Sequence, residues 1–188
     1  MIIIRRTIIQ ASVLQLLKNL IFLLSEKKMK HMMKQSAGIL VYRLNKNSVE
    51  VLLVHPGGPF WIKKDAAAWS IPKGEFSEDE NPMDAAIREF KEETGKEISG
   101  DFISLNPLKQ KSGKIIYAWM VNADFNAEEI KSNMFEIEWP PKSGMKKQFP
   151  EVDKARWFEL SIAKEKIHNG QIGFIEQLIL KIKTNSDR

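Results

Sequence analysis

A glycine-bounded segment rich in carboxylates, running from Gly74 to Gly95, constrains this chain more than any other stretch of its sequence. Asn81 is a suitable helix N-cap, Pro82 fits the first helical position, and Asp84 places a negative charge where the helix dipole favours it. Gly95 is typical of the residue that ends a helix, because glycine readily adopts the left-handed backbone conformation found there. The segment therefore predicts a glycine turn and an acidic loop, followed by a helix with both ends defined.

Three glutamates on that helix share one face. Glu89, Glu92 and Glu93 fall at positions i, i+3 and i+4, which bring side chains together on a helix surface. Like charges at this spacing repel by roughly 0.2–0.5 kcal/mol per pair, and Arg88 and Lys91 relieve only part of that. A bound cation would relieve more, and an all-oxygen donor set suits a hard ion such as Mg²⁺ or Mn²⁺.

The spacing of these residues resembles the Nudix box, G-x5-E-x7-R-E-U-x-E-E-x-G-U, in which U is apolar. Gly74, Glu80 and the run Arg88–Gly95 stand at the corresponding positions. Only the last position departs, because Lys96 replaces the apolar residue, and we expect Ile98 to take over its packing role. The resemblance implies an α/β fold, the Nudix α/β/α sandwich with a mixed sheet.

A solvated surface helix is the alternative explanation of this glutamate-rich stretch. Helices with a Glu-rich outer face are common, and Arg88 with Glu92 forms an ordinary i,i+4 pair. The coincidence of Gly74, Glu80 and Gly95 with the three glutamates favours the functional interpretation.

The resemblance also implies roles for the residues of the box. Glu89, Glu92 and Glu93 would be the main metal ligands, and the Gly74 carbonyl would complete the shell. Glu89 or Glu93 could instead serve as the general base. Arg88 would orient the carboxylates rather than touch the substrate.

In this family a further glutamate from outside the box often contributes to the site. Glu151, in the sequence PEVD, is the first candidate for that metal ligand. Glu136 and Glu138 are the rivals, and each of the three could instead be a plain surface residue.

Substrate contacts must come from outside the box. The segment from Trp69 to Gly74 resembles the W-x-x-P-K-G entry of Nudix hydrolases that act on dinucleoside polyphosphates and diphosphoinositol polyphosphates. Lys73 could contact phosphate as a point charge, whereas core packing is the alternative for Trp69. The other predicted substrate contacts are Arg43, Lys114 and Tyr117.

Aromatic side chains elsewhere in the chain could stack on a nucleobase or pack in the core. The candidates are Phe60, Trp61, Tyr117 and Phe149. The pair Gly57-Gly58 is a weak phosphate-loop signal, because no helix start follows it, and we interpret it as a turn.

The composition narrows the class of protein. The length of 188 residues suits one domain and an appendage, and the net charge of +5 favours polyanionic partners, either phosphorylated small molecules or RNA. The absence of cysteine excludes disulfides and thiolate metal sites and predicts a reducing, cytoplasmic location. The histidines show no ligand spacing and are expected on the surface or in loops: His31, His55 and His168.

Residues 1–33 differ from the rest of the chain. Their apolar run is interrupted too often for a membrane span, which needs about 20 mostly apolar residues, although its spacing permits an amphipathic helix. Arg5 and Arg6 before an apolar run are typical of a signal peptide, yet no small-x-small cleavage site follows. A third interpretation is that translation starts at Met32 or Met33.

Beyond this extension, residues 34–188 are predicted to form the Nudix hydrolase domain. Apolar runs separated by turn signals predict a mixed α/β pattern. A loop is predicted over 140–150, and two C-terminal helices, one capped by Ser161 and one over 172–182. Strands are predicted over 36–44, 49–55, 69–73, 102–108, 114–123, 133–139 and 155–160.

The sequence thus predicts an enzyme that hydrolyses a nucleoside diphosphate linked to another moiety, either a nucleoside triphosphate or a dinucleoside polyphosphate. Water would be the nucleophile and Mg²⁺ or Mn²⁺ the cofactor. The alternatives are an RNA 5′ pyrophosphohydrolase and a non-catalytic nucleotide-sensing or RNA-binding domain. Neither DNA nor a membrane is an expected partner, and no pattern indicates the oligomeric state.

Overall fold

The computed structural model describes residues 34–46 and 48–186. The extension predicted over 1–33 lies outside these residues, so its amphipathic helix and the later start remain predictions. Within the described ranges, no helix is long and apolar enough to cross a bilayer.

The described residues form strands and helices in an order that mixes the two throughout the domain. The α-helices are α1 (Pro82–Thr94), α2 (Leu160–Lys166) and α3 (Ile172–Ser186). The strands are β1 (Gln35–Asn45), β2 (Ser48–Pro56), β3 (Lys73–Glu75), β4 (Ile103–Ser104), β5 (Leu108–Lys109), β6 (Ile115–Asn122), β7 (Met134–Glu138), β8 (Lys146–Pro150) and β9 (Val152–Glu159).

The central sheet is mixed and runs in the order β4-β6-β1-β2-β9. Strands β1 and β6 are parallel, whereas β2 is antiparallel to both β1 and β9. Since β1 pairs with β2 only over residues 42–45, its first half is free to pair with β3, which sets Gly74 opposite Ala37. The glycine turn of the box is therefore built into the sheet. A separate two-stranded sheet consists of β7 and β8.

Side chains of β1 alternate between two apolar clusters, one on each face of the sheet. Ile39 and Val41 belong to the cluster that contains Phe90 of α1, and Leu40 belongs to the cluster that contains Phe174 of α3. All five are fully buried, which is worth about 1.5–3 kcal/mol for each large apolar side chain. A strand covered on both faces makes the central layer of a sandwich, and this confirms the predicted α/β/α arrangement.

Both ends of α1 are as predicted. The Asn81 side chain accepts hydrogen bonds from the backbone N–H groups of Met83 and Asp84, and Gly95 ends the helix at φ 69°, in the left-handed region. Ile98 packs against the α1 cluster, as expected from the exchange of Lys96 for an apolar residue. Lys96 itself pairs with Glu129.

Other element predictions are wrong or only partly right. The loop predicted over 140–150 contains β8, which pairs with β7. The helix predicted to be capped by Ser161 begins at Leu160, after Glu159, without a side-chain cap. The strand predicted over 102–108 is split into β4 and β5, because the backbone of Asn106 bonds the side chain of Gln177 instead of a strand. The strand predicted over 69–73 is also displaced. Trp69 and Ser70 form only isolated bridges, and the strand of that region, β3, begins at Lys73.

The prediction for His55 is also wrong. Its side chain is buried, at 2% exposure, rather than on the surface or in a loop. His168 lies before a 3₁₀ turn, where its ring accepts a hydrogen bond from the Gly170 N–H. His31 lies outside the described residues.

Candidate active site

The glutamate face of α1 lies against the glycine turn of β3. The backbone N–H of Lys73 donates a 3.0 Å hydrogen bond to the Glu93 carboxylate. A Cβ at Gly74 would overlap the Glu89 carboxylate. Gly74 is therefore required by a close approach, because any larger residue would displace Glu89 from its seat.

Glu93 is the most strongly perturbed carboxylate of this face. Loss of hydration raises the pKa of Glu93 to about 7, and the charges of Glu89 and Glu151 act in the same direction. The charge and backbone N–H of Lys73 lower the pKa only in part. A carboxyl group of this kind changes protonation near neutral pH, which suits proton transfer.

Glu89 has a similar environment. Its side chain is 13% exposed, and this burial raises the pKa of Glu89, against the opposing effect of Arg88. The charges of Glu92 and Glu151 raise the pKa further. Two neighbouring carboxyl groups are thus held in positions that disfavour their negative charge.

Arg88 joins the acidic residues of the box. Its Nη1 donates to Glu89 at 2.7 Å and to Glu92 at 3.2 Å. Its Nε and Nη2 form a two-point contact with Glu80, at 2.9 and 3.1 Å. These bonds join Arg88 to the carboxylates that it is predicted to orient, and the orienting role remains a prediction. They also give a role to Glu80, for which the sequence indicated no function beyond its place in the motif.

Glu151 is brought to the carboxylate face from the turn between β8 and β9. Its charge raises the pKa values of both Glu89 and Glu93. Its backbone carbonyl accepts from the N–H of Gly57 at 2.9 Å, and its own N–H donates to the carbonyl of Asn133 at 2.9 Å. Both bonds fix the turn that carries this side chain.

The rival glutamates have other partners. Glu136 forms an ion pair with Lys146 at 2.9 Å, and Glu138 accepts from the backbone N–H of Gly144 at 2.8 Å. Both lie on the β7–β8 hairpin, and Glu151, rather than either of them, is among the main charges that raise the pKa values of Glu89 and Glu93.

Three of the five predicted substrate contacts lie near β3. Lys73 is part of β3 and acts on the charge of Glu93. The ammonium of Lys114 lies 3.0 Å from the carboxylate of Glu75. Tyr117 is beside Ala37 on the neighbouring strand, and its ring makes an edge contact with Phe76. Their roles toward a substrate remain predictions.

The other two predicted contacts are not brought to this face. Trp69 is buried, at 3% exposure, and its indole N–H donates to Asp65, so the core-packing alternative is the right one. Arg43 lies at the far end of β1 from β3, where it pairs with Glu50 and Asp124, both at 2.7 Å. Its guanidinium also lies 4.3 Å from the centre of the Trp157 ring.

The residues of this face fit a hard divalent cation in the chemistry of their donors, since all of them are oxygens. The Glu89 carboxylate lies directly over Gly74, next to the backbone of β3. Within the described part of the chain, no group of three or more acidic or histidine side chains is arranged to hold a metal ion. Two of the carboxylates, those of Glu89 and Glu92, are paired with Arg88.

A mixed sheet between helices, with a glutamate-rich helix set against a glycine turn, defines a recognisable class of domain. The family model described as "NUDIX domain" matches residues 32–178. The chain therefore belongs to the NUDIX domain family, as the motif indicated.

Curated relatives match parts of the chain. It is 29% identical to Nudix hydrolase 5 of Arabidopsis thaliana over 147 residues, which cover 77% of this chain and 43% of that protein. It is 33% identical to mRNA-decapping enzyme subunit 2 of Saccharomyces cerevisiae (strain YJM789) over 101 residues, which cover 50% of this chain and 10% of that protein. The matched region thus spans less than half the length of both relatives.

Solved structures share the fold. A Caenorhabditis elegans Ap4A hydrolase in a binary complex aligns with a TM-score of 0.56 and 20% identity, over 79% of this chain and 98% of that chain. The NUDIX domain of Shewanella oneidensis NrtR, complexed with ADP ribose, aligns with a TM-score of 0.56 and 15% identity, over 80% of this chain and 88% of that chain.

Proposed function

We propose that this chain is a divalent-metal-dependent hydrolase that cleaves a nucleoside diphosphate linked to another moiety. The observation that carries the proposal is the face of α1 shared by Glu89, Glu92 and Glu93, where the pKa values of Glu89 and Glu93 are raised and the charge of Glu151, from a distant turn, also acts. Carboxylates that repel one another and are partly desolvated are stabilised when a cation binds among them.

The oxygens of this face would hold the ion: those of the four glutamates and the carbonyl of Gly74. When bound, a divalent ion neutralises charge on phosphate oxygens and lowers the pKa of a coordinated water. Mg²⁺ is the expected ion and Mn²⁺ the alternative, because both prefer oxygen ligands.

The side chains around the carboxylates supply orientation. The Lys73 N–H holds Glu93, and Arg88 holds Glu89 and Glu92, so none of these groups has to be ordered during the reaction. Glu89 or Glu93 would accept the proton of the attacking water. The Lys73 ammonium, on β3 beside Glu93, would attract the phosphate chain.

The proposed substrates are nucleoside triphosphates and dinucleoside polyphosphates. The fold neighbours support this class, since one is named an Ap4A hydrolase and another is complexed with ADP ribose. The net charge of +5 favours such polyanions. The absence of cysteine supports a reducing compartment such as the cytoplasm.

Removal of pyrophosphate from RNA 5′ ends is the second candidate. It is favoured by the 33% identity to a decapping enzyme subunit. An RNA substrate would bring further phosphate groups of its own backbone into contact with the protein. Its binding affinity would then fall steeply as the salt concentration rises. A non-catalytic sensor is disfavoured because the box keeps every carboxylate.

The test is product release from a panel of nucleoside triphosphates, dinucleoside polyphosphates, nucleotide sugars and 5′-triphosphate RNA, with Mg²⁺ and with EDTA. The unmodified chain is compared with Glu93→Gln and with Glu97→Gln, a control at an exposed glutamate paired with Lys91. Metal-dependent cleavage that is lost only in Glu93→Gln supports the proposal. Equal activity of all three proteins contradicts it.

A further inference from the structure

A groove of about 680 Å³ lies between the loop that follows β2 and the β7–β8 hairpin. We call it the aromatic groove, because Phe60 and Ile62 line one wall and Trp139 and Phe149 line the other. Phe60 is 58% exposed and Ile62 is 66% exposed. The rings of Phe60 and Trp139 meet edge to face at 5.3 Å between centres, so the two walls are in contact there.

Two glycines allow the hairpin to pack onto the loop. A Cβ at Gly57 would overlap the carbonyl oxygen of Pro150. Gly58 has φ +85°, and a Cβ there would lie 3.0 Å from the Phe135 ring. The Gly57-Gly58 pair, which the sequence indicated only as a turn, therefore allows the hairpin to pack closely against the loop and so determines the shape of the groove.

His55 joins the two walls from beneath. Its Nδ1 lies 2.7 Å from the carboxylate of Asp153, and its Nε2 donates to the carbonyl oxygen of Lys64 at 2.8 Å. Asp153 and Lys64 both line the groove, one on each side. The Asp153 carboxylate is thereby engaged within the protein, which reduces the repulsion that an anionic ligand would meet in the groove.

The rim of the groove carries positive charge. Lys63 is exposed and, within residues 34–46 and 48–186, forms no ion pair. The Lys64 ammonium lies 4.3 Å from the centre of the Trp61 ring. Apolar walls with a cationic rim complement a ligand that has a flat ring at one end and phosphate at the other.

The groove and the candidate active site are joined by two consecutive residues of the chain. Pro150 lines the groove, and the next residue is Glu151, whose charge acts on Glu89 and Glu93. A substrate whose phosphates lie at the carboxylate face would direct the group attached to them toward the aromatic walls.

We infer that the aromatic groove binds the nucleobase of the substrate, with Phe60 and Trp139 as stacking residues. The inference rests on the proposed function, because it places the phosphates at the carboxylate face. A base has flat apolar faces that stack on aromatic side chains in a sequence-tolerant way. The aromatic groove is thus a specificity site for nucleosides in general.

The test compares two ligands that differ only in the nucleoside. Calorimetric titration of the full chain with α,β-methylene-ADP and with methylenediphosphonate, both resistant to hydrolysis, measures the contribution of the nucleoside directly. Phe60→Ala and Trp139→Ala should each raise the Kd for methylene-ADP on the order of tenfold. The Kd for methylenediphosphonate should not change, and Trp139→Phe should recover most of the loss.

The control variant is Leu180→Ala, which removes an apolar side chain that is 64% exposed on α3. It should leave both Kd values unchanged. Equal weakening of both ligands by the groove variants, or weakening of neither, overturns the inference, and so does equal affinity of the unmodified chain for the two ligands. A protein-docking role for the groove would give the second of these results.

A second measurement does not depend on the folding of any variant. Photolabelling of the unmodified chain with 8-azido-ADP should attach the probe within residues 58–64 or 139–149, and labelling elsewhere overturns the inference. Failure of the proposed function is distinguishable. Nucleoside-dependent binding without hydrolysis would retain the groove and reject the hydrolase, whereas metal-dependent hydrolysis with no nucleoside contribution would do the opposite.

Discussion

The carboxylate face of α1 and the aromatic groove are adjacent, yet they are built in opposite ways. On the carboxylate face, side chains such as Arg88 and Glu93 are held by hydrogen bonds to the box itself or to the turn before it. In the aromatic groove, large apolar side chains such as Phe60 stay exposed. The first region is already ordered for one kind of chemistry, and the second leaves its surface for a ligand to cover. The difference suggests that cleavage and recognition are divided between them.

The largest difference between an effect on catalysis and an effect on nucleoside binding is expected from Glu93→Gln. The amide keeps an acceptor for the Lys73 N–H but cannot supply the negative charge or take a proton. We expect kcat to fall on the order of 10²–10⁴-fold, with little change in nucleoside binding at the groove. Steady-state kinetics and titration with methylene-ADP measure the two effects. Normal turnover in this variant and in Glu92→Gln would contradict the assignment of the carboxylate face.

Gly74→Ala tests the seat of Glu89. The added Cβ would overlap the Glu89 carboxylate and push it from its position, so we expect kcat to fall about 10²-fold, as for other small displacements of reacting groups. The thermal midpoint should change little, because the end of a flexible side chain can move. Gly170→Ala is the control, since its nearest neighbours would be 3.3 Å away. Unchanged kcat in Gly74→Ala would show that Glu89 needs no such seat.

Stability without metal should depend on pH through Glu93. Its folded-state pKa of about 7 lies above the ordinary value of 4.5, so the folded state holds the proton more tightly than the unfolded state. The contribution to stability is therefore greatest below pH 4.5 and is lost as the pH rises through 7, by about 2 kcal/mol after partial solvent screening.

Urea unfolding in EDTA at pH 5 and pH 8 measures this effect. The unmodified chain should lose stability between pH 5 and pH 8, whereas Glu93→Gln should not lose this contribution. The free energy of unfolding of the variant, relative to the unmodified chain, should therefore be higher at pH 8 than at pH 5. Aromatic groove variants should show the pH dependence of the unmodified chain. A difference between Glu93→Gln and the unmodified chain that is independent of pH would contradict the cause given for the raised pKa.

The smallest expected effect comes from His55→Gln, at the residue that bonds Asp153 and Lys64 of the aromatic groove. Glutamine can replace only one of the two hydrogen bonds of the ring, and the loss should cost about 1 kcal/mol of stability. We expect KM for a nucleotide to rise several-fold while kcat stays within a factor of two. If kcat falls as far as in Gly74→Ala, the groove and the carboxylate face are not separable regions.

Much of the carboxylate face was predictable because its determinants are local. The helix bounds follow from Asn81 and Gly95, and the shared face follows from the spacing of Glu89, Glu92 and Glu93. The aromatic groove was not predictable in this way. Phe60 and Phe149 were candidates for base stacking, but neither Trp139 nor the hairpin that carries it was connected to them by any local pattern.

Errors in the prediction have a common physical cause. Strand β8 begins with three exposed polar residues, two of them lysines, and shows no apolar alternation, so it becomes a strand only by pairing with β7. His55 is buried because Asp153, 98 positions away, and the carbonyl of Lys64 satisfy its ring. Trp69 joins the core because Asp65 takes its indole N–H. In each case the partner, rather than the residue, decides the environment.

The amino-acid sequence by itself determined the family, the ends of α1 and the glutamates that share its face, because these depend on periodicity and on residue types a few positions apart. Glu151 was the first of three candidates from the sequence, but only the tertiary structure separates it from Glu136 and Glu138. Tertiary structure alone decided that Gly57 lets the hairpin pack against the loop that lines the aromatic groove. Those outcomes depend on contacts between segments far apart in the chain. Such contacts are settled by the packing of the whole domain and leave no local periodic signal.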